Sequence, residues 1–223
     1  MRRSTTAVEG INADDLLSLL RRETSALHDH VEDVTDLPGA VRSHSDYVAL
    51  LQRFGFVYGP LEQQLGAARW EESWARIGID LAQHRRSHLI EHDLRELAPG
   101  WPPAGSVPLS SAAAACVRTF GQALGCLYVL EGSSLGGRVL ARHVTAALGE
   151  VPVSFLSSDG RGHPGPWRSV CAGLRRFGDA SGGADAGDVV DAGDVVAGAR
   201  ETFRLFARSM QGHAGQPALG PAT

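Results

Sequence analysis

The 223-residue sequence predicts a single all-α domain. Three observations carry that expectation. Apolar residues recur at the 3.6-residue spacing of a helix through most segments. Period-2 alternation bounded by turn residues, the mark of a half-buried strand, is hard to find. The length suits one domain, and such a chain buries about 70% of its unfolded surface, enough for a sizeable core.

Along the chain, a first helix starts near Asn12, with Asp15 as a favourable early acid, and runs to about Val34, before Pro38. A second covers about Ser45 to Ala68, with Tyr47, Leu50, Leu51, Phe54, Val57, Tyr58, Leu61 and Leu65 on its apolar positions. Pro60 lies inside it and is expected to kink or split it. A short helix over Trp70 to Ile77 precedes a long one from about Asp80 to Leu97. A Pro/Gly loop, Ala98 to Pro108, surrounds Trp101. The segment Ser110 to Leu148 is helical in pattern yet carries Gly121, Gly125, Gly132, Gly136 and Gly137. Each glycine costs a helix about 1 kcal/mol relative to Ala, so the backbone there must bend or be approached closely. Another helix spans about Pro166 to Arg176. Residues 178–198 are Gly/Ala/Asp-rich, contain the hexapeptide DAGDVV twice in tandem (Asp185 to Val190, Asp191 to Val196), and suggest a surface insertion. A last helix covers about Ala199 to Met210. The domain is thus expected over residues 12–210, with 1–11 and 211–223 as disordered ends.

Composition excludes several functions. The net charge is −4, which argues against nucleic acid as the main partner. All 21 basic residues are arginine, so Schiff-base lysine chemistry and a P-loop lysine are out. Cys116, Cys126 and Cys171 form neither a disulfide framework nor a zinc ribbon, and fit a reducing cytoplasm. No apolar stretch follows Met1-Arg2-Arg3 as a signal peptide would require. The run Thr119 to Leu130 is too short to span a bilayer.

Three features point to chemistry. On a helical wheel at about 100° per residue, Leu16, Leu17, Leu20, Thr24, Leu27 and Val31 fall within about 120° of His28 on one side. His28 therefore stands at the rim of the apolar face, with Arg21 and Glu32 close beside it, while His30 points away. A neutral imidazole there can ligate a metal while a carboxylate one turn on fixes its tautomer. The plainer alternative is a core-edge histidine with two surface charges. Second, Gly132 and Gly136 share a helix face, against which a flat ligand could lie; close helix packing is the competing use, and Gly121 and Gly125 are candidates for that. Third, His84, His88 and His92 recur every four residues, but the apolar face through Ile90, Leu94 and Leu97 places all three toward solvent. Arg86 and Asp93, on the inner edge, are the candidate structural ion pair.

Two segments together resemble the heme oxygenase family. LRRETSALHDHVE, Leu20 to Glu32, is similar to the family's proximal helix, and YVLEGSSLGGRVL, Tyr128 to Leu140, to its distal helix, most closely in the bacterial branch associated with bacteriophytochromes. RRSHLIEHDL, Arg85 to Leu94, and ARETFRLF, Ala199 to Phe206, are weaker matches to its middle and last helices. The resemblance implies His28 as the axial iron ligand, Glu32 as the partner behind it, and Arg21 facing a heme propionate. It implies Gly132 and Gly136, with the bend through Gly137, as the wall over the heme. Phe203 would lie near the heme edge and Tyr128 by a propionate. Ser133 stands where some members carry a distal aspartate, and the DAGDVV repeat has no counterpart in the family pattern.

The resemblance further implies an oxidoreductase for which heme is both cofactor and substrate. It would use O2 and external electrons to give biliverdin, carbon monoxide and ferrous iron. A ferredoxin or flavin reductase would be the donor, since the sequence has no dinucleotide fingerprint. A bacteriophytochrome would be a consumer of biliverdin, and the site cytoplasmic. Two alternatives stand beside it. One is a heme-binding or storage protein on the same fold, motivated by Ser133. The other is a thiaminase-like hydrolase, which would need a pair such as Cys126 and Glu131 in the pocket.

Overall fold

The computed structural model describes residues 13–35, 39, 41–100, 113, 116–157, 165–181 and 192–211, and among them there is helix and no strand. The N-terminal residues 1–12, most of the Trp101 loop, the first DAGDVV copy and the tail from 212 lie outside the described residues.

Helix α1, Ala13–Thr35, buries Leu16, Leu17, Leu20 and Thr24, the stripe its spacing predicts. Helix α2, His44–Leu65, is capped by Ser43, whose hydroxyl accepts from the Asp46 N–H at 3.2 Å. Pro60 does not split it: α2 runs on to Leu65 with the ring buried among apolar neighbours. A short 3-10 turn, Ala68–Trp70, leads into α3, Glu71–Arg76.

The long helix expected from Asp80 to Leu97 is in fact two pieces. Asp80 caps a 3-10 turn over Leu81–His84, and α4 begins only at Ser87 and ends at Leu97. The cause of the break sits on another element. The buried Glu62 of α2 accepts the N–H groups of Arg86 and Ser87 at 2.7 and 3.0 Å and the Ser87 hydroxyl at 2.6 Å. It thus supplies the cap that α4 lacks from its own N-cap residue, Arg86. Burial raises the Glu62 pKa, and the three donors work against that rise.

Helix α5, Phe120–Ser134, is capped by Thr119 and buried on every side from Gly121 to Glu131. Helical hydrogen bonding stops after it: Leu135 N–H reaches back only to Gly132, and α6, Gly137–Leu148, starts from the Gly136 carbonyl. The glycine-rich segment therefore bends where expected. It is also shorter than expected, since Val117 to Thr119 are not helical.

A single turn, α7 (Ser154–Ser157), is fixed by the buried Asp93, which accepts from the Ser154 and Phe155 N–H groups at 3.1 and 2.9 Å. Arg86 donates to the Phe155 carbonyl at 2.7 Å, so the two inner-edge residues of α4 converge on one turn. Helix α8 spans Gly165–Ser181, and α9 spans Ala192–Met210. Helix α9 packs on both α5 and α1. It starts seven residues before the expected Ala199, because Val195 and Val196 of the second DAGDVV copy are buried in the core. The reading of 178–198 as a surface insertion is corrected there, and again at Gly178 to Ser181, which end α8.

Gly125 shows what the buried glycines do. A Cβ on it would run into the Val195 carbonyl and the Ala199 N–H, and one on Gly198 would strike the Gln122 backbone. Helices α5 and α9 thus cross backbone to backbone, the packing use foreseen for Gly125. No helix among the described residues is long and apolar enough to cross a membrane.

Candidate functional site

A cavity of about 330 Å3 opens between α1 and the α5–α6 bend. Its wall brings together eight of the nine residues expected at the site: His28, Glu32, Tyr128, Gly132, Ser133, Gly136, Gly137 and Phe203. Arg21 is exposed and stands outside the lining, close enough to Tyr128 to lower its pKa against the rise that burial causes.

The wheel placed His28 correctly. Its side chain is 56% exposed, at the edge of the buried stripe of α1. Phe203 of α9 meets the imidazole edge-on, with centroids 6.0 Å apart. His28 Nδ1 lies 3.7 Å from Glu32 Oε2 and 3.8 Å from Asp29 Oδ1, beyond hydrogen-bond reach but within charge contact. With Nδ1 turned to the acids, Nε2 is the nitrogen available as a ligand.

Opposite, the glycines divide into two kinds. A Cβ on Gly136 would meet nothing within 4 Å, and one on Gly132 only the edge of Trp167 at 3.6 Å. Gly137 is different: a Cβ there would come 2.5 Å from the Leu156 carbonyl. Gly137 touches the cavity, yet its lack of a side chain serves the packing of α6 on α7.

Ser133 is joined to a residue that sequence reasoning assigned only to the core. The Tyr58 hydroxyl lies 2.7 Å from Ser133 Oγ and 3.0 Å from the Leu130 carbonyl, and Ser133 Oγ lies 2.8 Å from that same carbonyl. Two hydroxyl protons serve these three contacts, so both are spent inside the triangle. The cavity is left with oxygen lone pairs, which accept hydrogen bonds. Burial raises the Tyr58 pKa, so its proton stays in place across the working pH range. The sequence did carry one signal here: a tyrosine on an apolar face needs a partner for its hydroxyl. Trp167 of α8, tilted 45° against Tyr128 with centroids 5.4 Å apart, also lines the cavity and had no such signal.

Two expectations fail at this site's back wall. His84 does not face solvent. It is buried in the 3-10 turn with Nδ1 2.8 Å from Glu131 Oε1, because the break before α4 turns it inward, whereas His88 and His92 are exposed. Cys126, the nucleophile considered for a hydrolase, is buried beside Thr202 with its thiol pushed up to about 12, and does not line the cavity. A thiol so protonated and enclosed is no nucleophile, and the Glu131 side chain considered with it is held by His84.

Residues 14–158 match the family model described as heme oxygenase. No curated protein matches the chain. Among solved structures, heme oxygenase-1 from the cyanobacterium Synechocystis, in complex with heme, is similar with a TM-score of 0.64 at 18% identity, covering 87% of this chain and 90% of that one. The heme oxygenase of Leptospira interrogans gives a TM-score of 0.65 at 18% identity, covering 88% and 98%.

Proposed function

The chain belongs to the heme oxygenase family and is a heme-degrading oxidoreductase, and from that premise we propose that His28 is the axial ligand of a heme held in the cavity between α1 and the α5–α6 bend. The observation that carries the reading is the pairing of His28 and Gly136 across one cavity: an imidazole on one side, and on the other a backbone with open space where a side chain would stand. The cradle fits a flat ring, which packs against glycine backbone on one face and takes a nitrogen ligand on the other.

Heme, when bound, supplies the iron at which O2 is activated and the ring that is opened. His28 would hold the iron through its imidazole, with the glycine wall of Gly132 and Gly136 facing it across the cavity. Glu32 and Asp29 stand on the Nδ1 side of the imidazole, at 3.7 and 3.8 Å. Phe203 braces the imidazole ring edge-on. The Tyr58–Ser133 pair accepts a hydrogen bond from the distal side and supplies no strong acid, taking the place of the carboxylate that Ser133 replaces. Arg21, with Arg175 of α8, is the cation set for the propionates. Both lie near enough to Cys171 to lower its pKa against the rise that burial causes, so they share one neighbourhood, outside the cavity lining. In this reading the products are biliverdin, carbon monoxide and ferrous iron, with electrons delivered by a ferredoxin or flavin reductase and a bacteriophytochrome as a consumer of biliverdin. The setting is cytoplasmic.

Hemin titration tests it. The parent chain is expected to give a Soret band with imidazole ligation and, with a reductant and O2, biliverdin absorption. His28→Ala should lose both turnover and the imidazole signature while retaining part of its heme affinity through apolar and propionate contacts. Biliverdin formation by His28→Ala at the parent rate would remove His28 from the iron.

A further inference from the structure

The His84–Glu131 pair has no part in the reading above, yet it is held behind the cavity wall. The two side chains are 2% and 4% exposed. They come from segments 47 residues apart, and neither lines the cavity. Glu131 directly precedes Gly132. At about 100° per residue its side chain leaves α5 roughly 200° from that of Ser133, on the face turned away from the ligand. A buried imidazole–carboxylate pair contributes little net stability compared with apolar side chains of the same size. Its use is more readily sought in the part of the fold that it fixes.

That part is the last turn of α5. Ser134 bonds only to α5's own Glu131 carbonyl. Among the described residues, two side-chain hydrogen-bonding ties reach this turn from other elements: Tyr58 of α2 from the cavity side, and His84 from behind. The helix then bends at Leu135–Gly136. We propose that His84 is a positioning residue: acting through Glu131, it holds the turn carrying Gly132, Ser133 and the bend at the height above the heme that decides which edge of the ring is oxidised. The proposal rests on the heme oxygenase reading, with α5 as the distal wall.

The test compares three variants with the parent chain. His84→Asn puts an amide Nδ2 where Nδ1 was and keeps a donor for Glu131. His84→Leu strands the carboxylate. His84→Leu combined with Glu131→Leu refills the site with apolar atoms. Each is read by apoprotein Tm, by hemin Kd from Soret titration, by single-turnover rate and by the ratio of biliverdin isomers. His84→Asn should match the parent in rate and isomer ratio. His84→Leu should lose Tm and shift the ratio. The double variant should regain Tm and hemin affinity, yet still react about tenfold to a hundredfold slower, as a displacement near 1 Å does, with the ratio still shifted. An isomer ratio and rate that return to the parent values in the double variant would show the pair to be structural and overturn the proposal. If the double variant does not fold, an unchanged ratio in folded His84→Leu overturns it equally. A parent chain that makes no biliverdin from hemin defeats the heme oxygenase reading itself, and this proposal with it.

Discussion

Gly136→Leu separates a glycine kept for the ligand from one kept for packing. Gly136 has φ −81° and ψ −12°, a helical conformation open to any residue, and a Cβ there meets nothing within 4 Å. The apoprotein therefore meets no clash at the new Cβ, and as the N-cap of α6 the position gains nothing from interior helix propensity. The expected apo Tm is unchanged or lowered by no more than the small change at the cap. With heme bound, the same side chain enters occupied space. Overpacking costs about 1–3 kcal/mol, here borne by the bound state alone. At about 1.4 kcal/mol per tenfold, that weakens heme affinity roughly 5- to 150-fold. Gly137→Ala is the control with the opposite signature, because its Cβ would come 2.5 Å from the Leu156 carbonyl in the apoprotein itself. It should lower the apo Tm and change heme affinity only as folding fails. Thermal melts and Soret titrations on the two variants decide the matter. A Gly136→Leu protein with a depressed apo Tm that still binds and oxidises heme normally would refute the distal-wall assignment.

Burial and pKa lead to further outcomes. Because the folded pKa of Glu62 is raised, its protonation favours the fold: that contribution is present below about pH 4.5 and lost as pH rises through the folded value. Glu62→Gln should flatten this limb of the stability–pH curve, as chemical denaturation from pH 4 to 8 would show. With Cys116 pushed up to about 11 and Cys126 to about 12, both buried, the native protein should resist iodoacetamide at those positions and react only on denaturation. Rapid native labelling of Cys126 would contradict its placement. Gly125→Ala, whose Cβ meets the Val195 backbone, should cost more than the usual 1–3 kcal/mol of overpacking and lower Tm sharply.

The α1 stripe was legible because its burial is one-sided: Leu16, Leu17, Leu20 and Thr24 mark a face, and His28 falls at its edge. The glycine bend was legible because glycine is costly in a helix and needs a reason. The features that escaped depend on long-range partners. Nothing between Asp80 and Leu97 signals a break, since the group that ends one piece and starts the next is Glu62, on another helix. That break in turn moved His84 from the expected solvent face to the interior. Val195 and Val196 were read with the Gly/Ala/Asp-rich run around them, and only the groove along α5 shows that they are core. Tyr58 was seen as apolar surface to bury, while its hydroxyl, which reaches Ser133, was left without a partner.

The backbone contact of α5 with α9 fixes the geometry of both faces of the ligand slot. From Gly125 to Gly132 is about 10 Å of helix, and from Gly198 to Phe203 about 7.5 Å, at 1.5 Å per residue. The glycine crossing acts as the pivot of a pair of tongs, with the distal wall at the end of one arm and the brace of His28 at the end of the other. Tilting the longer arm by about 5° moves its tip by about 0.9 Å, and the shorter one by about 0.7 Å. A single methyl group at the pivot, outside the cavity lining, would be magnified into a change of slot width large enough to alter how a flat ring is gripped.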